Sequence, residues 1–409
     1  MGSEASSIDA DEGYQKSKIS SLPVCYEQIQ RMKYNDQGFQ CDNFIDKDKT
    51  KYSLERHPKV NTDEQKNELI RMPYNGIWSI KGTKGFKPSP RVGNCYVYDP
   101  IENAIFIAYG QTEEKEMLND SWILHLDTFE WECISFNMLS PRSGASAVII
   151  DRNVYIFGGH DEAGKNFADL HYVDLNTRTV NKLDFIPNHP SERSNSTMFT
   201  TKESLFVWSG YNGSTLTDMY EFNIYDKKWS KCANPGIEGR RIGLFASSVD
   251  KKVQYALSSE SNGSEVIKFD LESKKIIIIP CAGHKPHGTL NYASMAIQNN
   301  FLFLIGGKYP NDYTYLYALN LDSHSWHKLY VIPDGRTVSK DDGSIDKSGL
   351  FQLPRINGQT MIYSPKDMSL YAIFGNNYLV PCPAQKIELG QAIAILNHRE
   401  DMKNMLLMY

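Results

Sequence analysis

The feature that most constrains the fold of this 409-residue chain is a repeat of about 50 residues. Most copies open with an arginine that stands two residues before a small or turn-forming residue. An apolar strand, a turn and a second strand follow, and the second strand ends in a pair of small residues. Six copies are visible, and the fifth, near Gly288, lacks the arginine. The arginines of the other copies are Arg91, Arg142, Arg193, Arg241 and Arg355.

The second half of each copy adds two more β-rich segments. An alternating strand comes first, and in three copies a tryptophan (Trp131, Trp229 or Trp326) follows 19 to 21 residues after the small pair. Four short strands separated by turns predict a four-stranded antiparallel sheet, and such sheets must stack around an axis to bury both of their faces. Close packing at the small pairs is predicted to depend on Gly110, Gly158, Gly159, Gly210, Gly306, Gly307 and Gly375.

These motifs resemble the kelch repeat, which carries a double glycine, a spaced tyrosine or acidic residue and a tryptophan about twenty positions later. The similarity covers residues 76–398 and is weakest in the fourth copy, where Ser258 and Ser259 replace the glycines. It implies an all-β fold, a six-bladed β-propeller of four-stranded antiparallel blades within the galactose oxidase/kelch-type superfamily. Propellers carry unrelated functions, so the fold alone does not define a ligand.

Trp78 predicts how the ring of blades closes. It lies 13 residues before Arg91, close to the spacing of 11 or 12 residues between later tryptophans and the arginines that follow them. The N-terminal strand is therefore expected to complete blade six, although residues 391–397 offer an alternative for the same place. Outside the propeller we expect a flexible or loosely docked extension over 1–75 and a short helical tail over 399–409. The insertion at 334–349 is interpreted as a functional or disordered loop.

Composition excludes several classes of protein. A net charge of −5 and a pI near 6.1 argue against a nucleic-acid-binding protein. No apolar run approaches the ~18 residues of a membrane-spanning helix, and the first thirty residues have no hydrophobic signal core, so a cytoplasmic location is expected. The seven cysteines are irregularly spaced without a CxxC pair, which predicts reduced thiols rather than disulfides or a zinc site.

The first six residues, Met1 to Ser6, fit the pattern for N-myristoylation of Gly2. Acylation would associate the protein with membranes through its N-terminal lipid, although one myristoyl chain anchors only marginally. The alternative is an unmodified, small and polar N-terminus.

An enzyme is the less favoured class. Copper radical oxidases resembling galactose oxidase need tyrosine and histidine ligands and a cysteine cross-linked to a tyrosine. Here Cys95 adjoins Tyr96, but neighbouring residues on a strand point to opposite faces, and no matching ligand set is found. His160, His189, His284 and His287 all fall in connections predicted on one face and could bind a metal if their loops curled inward, but solvated loop histidines are commoner. No catalytic residue, metal or cofactor is predicted.

The leading hypothesis is a non-enzymatic scaffold or adaptor that binds a protein or peptide through the propeller mouth. In kelch propellers that bind acidic peptides, arginines at this position contact the ligand, and the resemblance implies that role for Arg91, Arg142, Arg193, Arg241 and Arg355. Loop residues His160, Tyr211 and Asn212 are expected to contribute. Alternatively, each arginine bonds backbone carbonyls of the neighbouring blade and seals the interface. Trp78, Trp131, Trp229 and Trp326 are expected to pack between blades. Two other functions stay open, a metal-dependent oxidase-like or lyase-like propeller and a structural subunit of a larger assembly.

Overall fold

The repeats fold into sheets of short strands that pair in antiparallel order. The computed structural model describes residues 76–389 except 185, 234–241, 248–251, 260, 272–274, 299, 309–310, 330, 347–350 and 376–382. Its first strand is β1 (Gly76–Lys81). Sheet 1 consists of β2 (Cys95–Asp99), β3 (Ala104–Ala108), β4 (Ser121–His125) and β5 (Glu130–Ser135). Sheet 2 consists of β6 (Ser146–Ile150), β7 (Asn153–Phe157), β8 (Leu170–Asp174) and β9 (Thr179–Lys182).

The later sheets follow the same order. Sheet 3 consists of β10 (Thr197–Thr200), β11 (Ser204–Trp208), β12 (Met219–Asn223) and β13 (Lys228–Lys231). Sheet 4 consists of β14 (Ile242–Ser247), β15 (Val253–Ser258), β16 (Glu265–Asp270) and β17 (Lys275–Pro280). Sheet 5 consists of β18 (Ala282–Gly283), β19 (Ser294–Gln298), β20 (Phe301–Ile305), β22 (Leu316–Asn320) and β23 (Ser325–Leu329).

Two sheets remain. Sheet 6 joins β1 to β24 (Val331–Pro333), β27 (Thr360–Ser364), β28 (Ser369–Ile373) and β29 (Ala384–Glu388). Sheet 7 is small and has β21 (Tyr313–Thr314), β25 (Ser344–Ile345) and β26 (Phe351–Pro354), with a 3-10 helix at Lys340–Asp342 before β25. No helix in the described ranges is long and apolar enough to cross a membrane.

The prediction of six blades is wrong in its number, because the residues that the structure describes form seven sheets. One strand from each of sheets 1 to 6 forms a closed series of neighbours. In order, these strands are β2, β6, β10, β14, β19 and β27, and β27 also neighbours β2. Sheet 7 is built between residues 313 and 354, and part of the 334–349 insertion contributes β25 to it. Strands of two residues leave no hydrophobic period in a sequence, so this sheet was not predictable. An all-β propeller with four-stranded antiparallel blades is confirmed.

The two ends of the described chain meet in sheet 6. β1 pairs antiparallel with β29, with Trp78 opposite Ile387 and Lys81 opposite Ala384. β1 therefore occupies the fourth-strand place that the spacing of Trp78 indicates. The alternative segment, 391–397, lies outside the described residues, as do the predicted extension (1–75) and helical tail (399–409).

The core lies between adjacent sheets. β3, β11, β20 and β28 are buried along their whole length, because each second strand is covered on both faces. The tryptophans of the outer strands pack against the preceding sheet: Trp131 stacks on Phe374 with ring centroids 5.8 Å apart, and Trp229 meets Phe157 edge-on at 5.9 Å. These contacts join each sheet to its neighbour.

The small pair after the second strand requires a left-handed backbone. Gly158 and Gly159 have φ of 72° and 95°, and a Cβ on Gly158 would lie 2.4 Å from the carbonyl oxygen of Arg193. In other sheets Tyr109, Ser209 and Phe374 take the first position with φ near +60°, which glycine adopts more easily. Tyr109 and Phe374 are buried aromatic residues, so packing offsets this backbone cost.

Three outer strands have an additional neighbour on their free edge. The chain leaving one sheet runs parallel to the start of the next sheet's outer strand: β18 pairs with β23, β24 pairs with β1, and Lys84 forms a parallel bridge with Glu130 of β5. Each such segment bonds a main-chain group of a tryptophan. Trp131 N donates to Lys84 O (3.1 Å), His284 N donates to Trp326 O (2.8 Å) and Asp334 N donates to Trp78 O (2.9 Å). We call these segments edge caps.

Candidate partner-binding face

The loops after the second strands and the links between sheets lie at one end of the propeller, which we call the upper face. Antiparallel strands alternate in direction, so these two sets of connections fall together. Backbone bridges join them, as between Ser143 and His160 and between Ser194 and Tyr211. The upper face is therefore the place where the predicted loop residues gather.

The repeated arginines lie beneath this face as buried ion pairs. Arg91 and Arg193 are fully buried, and Arg142 is 1% exposed. Each guanidinium bonds the carboxylate that precedes the third strand of its own sheet, namely Asp120, Asp169 or Asp218, at 2.5, 2.7 and 2.7 Å.

Each of the three arginines also accepts a bond through its own carbonyl. Gly110 N donates to Arg142 O at 2.9 Å, and Gly159 N donates to Arg193 O at 3.0 Å. The donors belong to the preceding sheet, so one residue joins its own sheet to a neighbour. These positions therefore serve the interface between sheets.

Arg91, Arg142 and Arg193 do not project as free cations around one opening, because each guanidinium is buried and bonds an aspartate. Contact of these arginines with a partner stays a prediction. Arg355 behaves differently. Its Nη1 donates to the carbonyls of Gly306 and Gly307 in the neighbouring sheet, both at 2.9 Å, as the structural alternative described. Arg241 and Gly2 lie outside the described residues.

Arg142 differs from its counterparts in one atom. Its Nε donates to Ser140 O at 3.0 Å, and its Nη1 donates to Gly158 O and Asp169 Oδ1. Its Nη2 has no hydrogen-bond partner among the described residues, whereas the corresponding atoms of Arg91 and Arg193 bond their aspartates. The guanidinium lies over the Phe167 ring at 4.1 Å and the Tyr109 ring at 5.1 Å.

A cleft of about 760 Å³ opens in the upper face above this arginine. Its lining comes from the link between sheets 1 and 2 (Ser140, Arg142), the loop 165–169, the end of β9 (Lys182), and Glu192 and Asn212 beside sheet 3. Arg142, Lys165 and Lys182 supply positive charge, whereas Glu192 and Asp169 supply negative charge, and Asp169 is paired with Arg142. The arrangement favours a ligand with at least one carboxylate.

The predicted loop residues are distributed unevenly around this cleft. Asn212 is exposed and lines it. Tyr211 is 42% exposed beside Asn212, and His160 is half-buried with Nδ1 3.2 Å from Asp161 O. Among the residues that the structure describes, no group of three or more histidine, cysteine, aspartate or glutamate side chains is placed to hold a metal ion.

A buried polar chain behind the cleft was not foreseen from the sequence. The hydroxyl of Tyr109 lies 2.8 Å from Nε2 of His171, and Nδ1 of His171 lies 3.5 Å from Oδ2 of Asp169. The Asp169–Arg142 ion pair extends the chain to the cleft. Burial lowers the pKa of His171 despite the nearby carboxylate, which favours a neutral imidazole.

The buried contacts of His171 and Asp169 predict that the fold is destabilised by acid. Burial raises the pKa of Asp169, but hydrogen bonds from His171 and Arg142 outweigh it and hold that pKa well below its usual range. Both groups bind protons more weakly when folded than when unfolded, so their stabilisation is present above the unfolded pKa and is lost as pH falls. We expect thermal stability to start falling below about pH 6.5, where an unfolded histidine protonates.

The pH dependence of the melting temperature measures this effect. His171→Gln, which retains a polar group beside Tyr109, should weaken the decline that begins below about pH 6.5 and leave the part that comes from the lowered pKa of His287. The later decline caused by carboxylates should persist. A variant with an unchanged profile would contradict the role given to His171.

Comparison with solved structures supports the architecture. A structure titled "Structure of YjhT" aligns with a TM-score of 0.54 at 14% identity, covering 74% of this chain and 95% of that one. At this identity the similarity shows the fold alone. Fold and loop placement thus define a β-propeller whose links and second-strand loops gather at one end.

Family comparison then places the chain among its relatives. Residues 59–257 match the model described as the KLHDC2/KLHL20/DRC7 Kelch-repeats domain. Over these residues, just under half of its length, the chain is similar to kelch-repeat domains. Kelch domain-containing protein 3 of Rattus norvegicus is 20% identical over 61% of this chain and 57% of its own length. Acyl-CoA-binding domain-containing protein 4 of Arabidopsis thaliana is 31% identical over 48% of this chain and 28% of its own. The chain thus spans less than two thirds of these relatives.

Proposed function

We propose that the protein is a non-enzymatic interaction module that holds a protein or peptide partner on its upper face, in the cleft above Arg142. The observation that carries the proposal is the cleft itself, which is lined by two lysines and by one arginine nitrogen that has no hydrogen-bond partner among the described residues. Kelch propellers are typically protein-interaction modules, and proteins with kelch domains are generally non-enzymatic.

The chemistry of the cleft favours an acidic segment as the ligand. Arg142 is held between two aromatic rings and an aspartate, so its Nη2 needs no reordering to receive a carboxylate. Lys165 and Lys182 lie at the borders and would attract the ligand over longer distances. Acidic peptide recognition is thus retained from the sequence hypothesis, but with Arg142 and loop lysines in place of five equivalent arginines.

Two finer features belong to the same proposal. The protein works in the cytoplasm. Acylation of Gly2 would bring the bound partner to a membrane, and intact-mass spectrometry of the native protein distinguishes this tether from an unmodified N-terminus.

Charge reversal in the cleft tests the proposed function. A partner captured by affinity pull-down and then purified should bind Lys165→Glu at least tenfold more weakly, about 1.4 kcal/mol, because reversal places a carboxylate beside the ligand's acid. Lys202→Glu is the matched control, since Lys202 is exposed in the β10–β11 turn on the opposite face. If Lys165→Glu and Lys202→Glu bind the partner with equal affinity, the cleft is not the binding site.

A further inference from the structure

Sheet 2 lacks the edge cap that covers three other outer strands. Val180 in β9 holds the place that Trp131 holds in β5 and Trp326 holds in β23, since each lies opposite the apolar middle of the third strand. The link from sheet 1 would have to supply the cap. It turns away instead, because Met138 N donates to Asn119 O in the loop of its own sheet at 2.8 Å. Within the described ranges, no segment pairs with the outer edge of β9.

The hydrogen bonds between β8 and β9 show which main-chain N–H and C=O groups of β9 point away from β8. Leu183 N donates to Leu170 O on β8, so Leu183 faces β8. Antiparallel pairing alternates, and therefore Asn181 faces β8 while Val180 and Lys182 direct their N–H and C=O groups outward. In sheet 1 the corresponding amide, Trp131 N, is the one that donates to the edge cap.

The open edge runs into the cleft. Lys182 ends β9 and also lines the cleft, which it shares with Ser140 of the link and with Arg142. An extended partner segment lying along β9 would thus pass from the outward main-chain groups of Val180 to the positive charge of Lys182. The place of the missing cap and the cleft are parts of one surface.

We propose that the outer edge of β9 receives an extended acidic segment of a partner protein, which adds a strand to sheet 2 and places a carboxylate near Lys182 and Arg142 Nη2. The inference rests on the proposed function and names how the partner binds. The protein's own edge caps indicate what kind of segment binds here. At the equivalent edges of β1, β23 and β5, an extended stretch of backbone pairs with the outer strand. Strand addition supplies affinity through main-chain bonds, and the cleft supplies specificity for an acidic residue.

One edge cap also provides a probe. Val331, Ile332 and Pro333 pair with β1, and Asp334 N donates to Trp78 O. A labelled peptide of residues 329–335, Leu-Tyr-Val-Ile-Pro-Asp-Gly, would in the same register set its proline opposite Val180 and its aspartate opposite Asn181, one residue before Lys182. We expect this peptide to bind the full chain and to slow hydrogen exchange of the Val180 amide at least tenfold.

Two variants and a matched control decide the proposal. Lys182→Glu should weaken peptide binding at least tenfold, whereas Lys231→Glu should not. Lys231 holds the corresponding place at the end of β13, whose edge is also uncapped among the described residues but contributes nothing to the cleft lining. Val180→Pro should abolish binding, because proline removes the outward N–H without removing a bond to β8.

Several outcomes would overturn the inference. Slow exchange of the Val180 amide in the protein alone would mean that its own chain covers the edge. Equal effects of Lys182→Glu and Lys231→Glu would mean that the peptide responds to charge alone. If Val180→Pro does not fold, the exchange measurement and the lysine pair still decide. A purified partner that binds folded Val180→Pro normally but loses affinity for Lys165→Glu would refute strand addition and leave the proposed function standing.

Discussion

A chain that lacks residues 1–82 is expected to lose its cooperative unfolding transition, because the deletion removes β1 from sheet 6. β1 pairs along five residues with β29 and buries Ile77 and Trp78 between sheets. Loss of a buried tryptophan alone costs about 3 to 5 kcal/mol. The whole stability of a domain is about 5 to 15 kcal/mol, so removal of the strand leaves little.

The control for this deletion is a chain that lacks residues 1–60. It retains all of β1 and should melt at the temperature of the full chain. Circular dichroism or calorimetry distinguishes the two truncated chains. A cooperative transition at the wild-type temperature after deletion of 1–82 would mean that another segment, such as 391–397, supplies the closing strand.

Replacement of Arg91 or Arg193 by alanine is expected to lower the free energy of unfolding by about 3 to 5 kcal/mol each, because it leaves Asp120 or Asp218 without its buried partner. Both arginines are fully buried and bond their aspartates through two nitrogens. Denaturant titration measures the change. Arg336→Ala, at an exposed arginine in a turn, should change it by less than about 0.5 kcal/mol.

The same pair of variants separates a structural role from a role in binding. If Arg91 and Arg193 act in the interface between sheets, the folded fraction of either variant should bind a partner normally. Stability equal to that of Arg336→Ala, together with lost binding, would restore these arginines to the binding surface.

Local signals in the sequence predicted the features that depend on nearby residues. The left-handed backbone at Gly158 and Gly159 follows from their place at the end of a strand, and the position of β1 follows from the distance between Trp78 and Arg91. These features recur at a fixed period, so one copy explains the others.

The partners of the arginines were missed although the sequence carries a signal. An aspartate follows each arginine at 29, 27 and 25 residues in Asp120, Asp169 and Asp218, directly before the third strand. An arginine and an aspartate that recur together indicate an ion pair. An ion pair that recurs in each repeat indicates a structural role in packing the sheets together. Attention to the arginines alone suggested free cations.

The cleft and the edge caps could not have been predicted in the same way. They arise where one copy departs from the others, as when the link after β5 bonds Asn119 and leaves β9 uncovered. Such differences depend on the path of a few link residues and leave no periodic pattern. Lys165 and Lys182 therefore looked like ordinary surface lysines.

The pairing of β1 with β29 also has a consequence for synthesis of the protein on the ribosome. Gly76 emerges first, and its partner strand ends at Glu388, 312 residues later (388 minus 76). At about 5 to 20 residues per second, the interval is roughly 15 to 60 s. During that time Trp78 has no completed sheet to enter, and the nascent chain carries an unpaired apolar strand near its beginning. A chaperone that binds such strands would meet this protein before β29 is made and release it only after Glu388 has emerged.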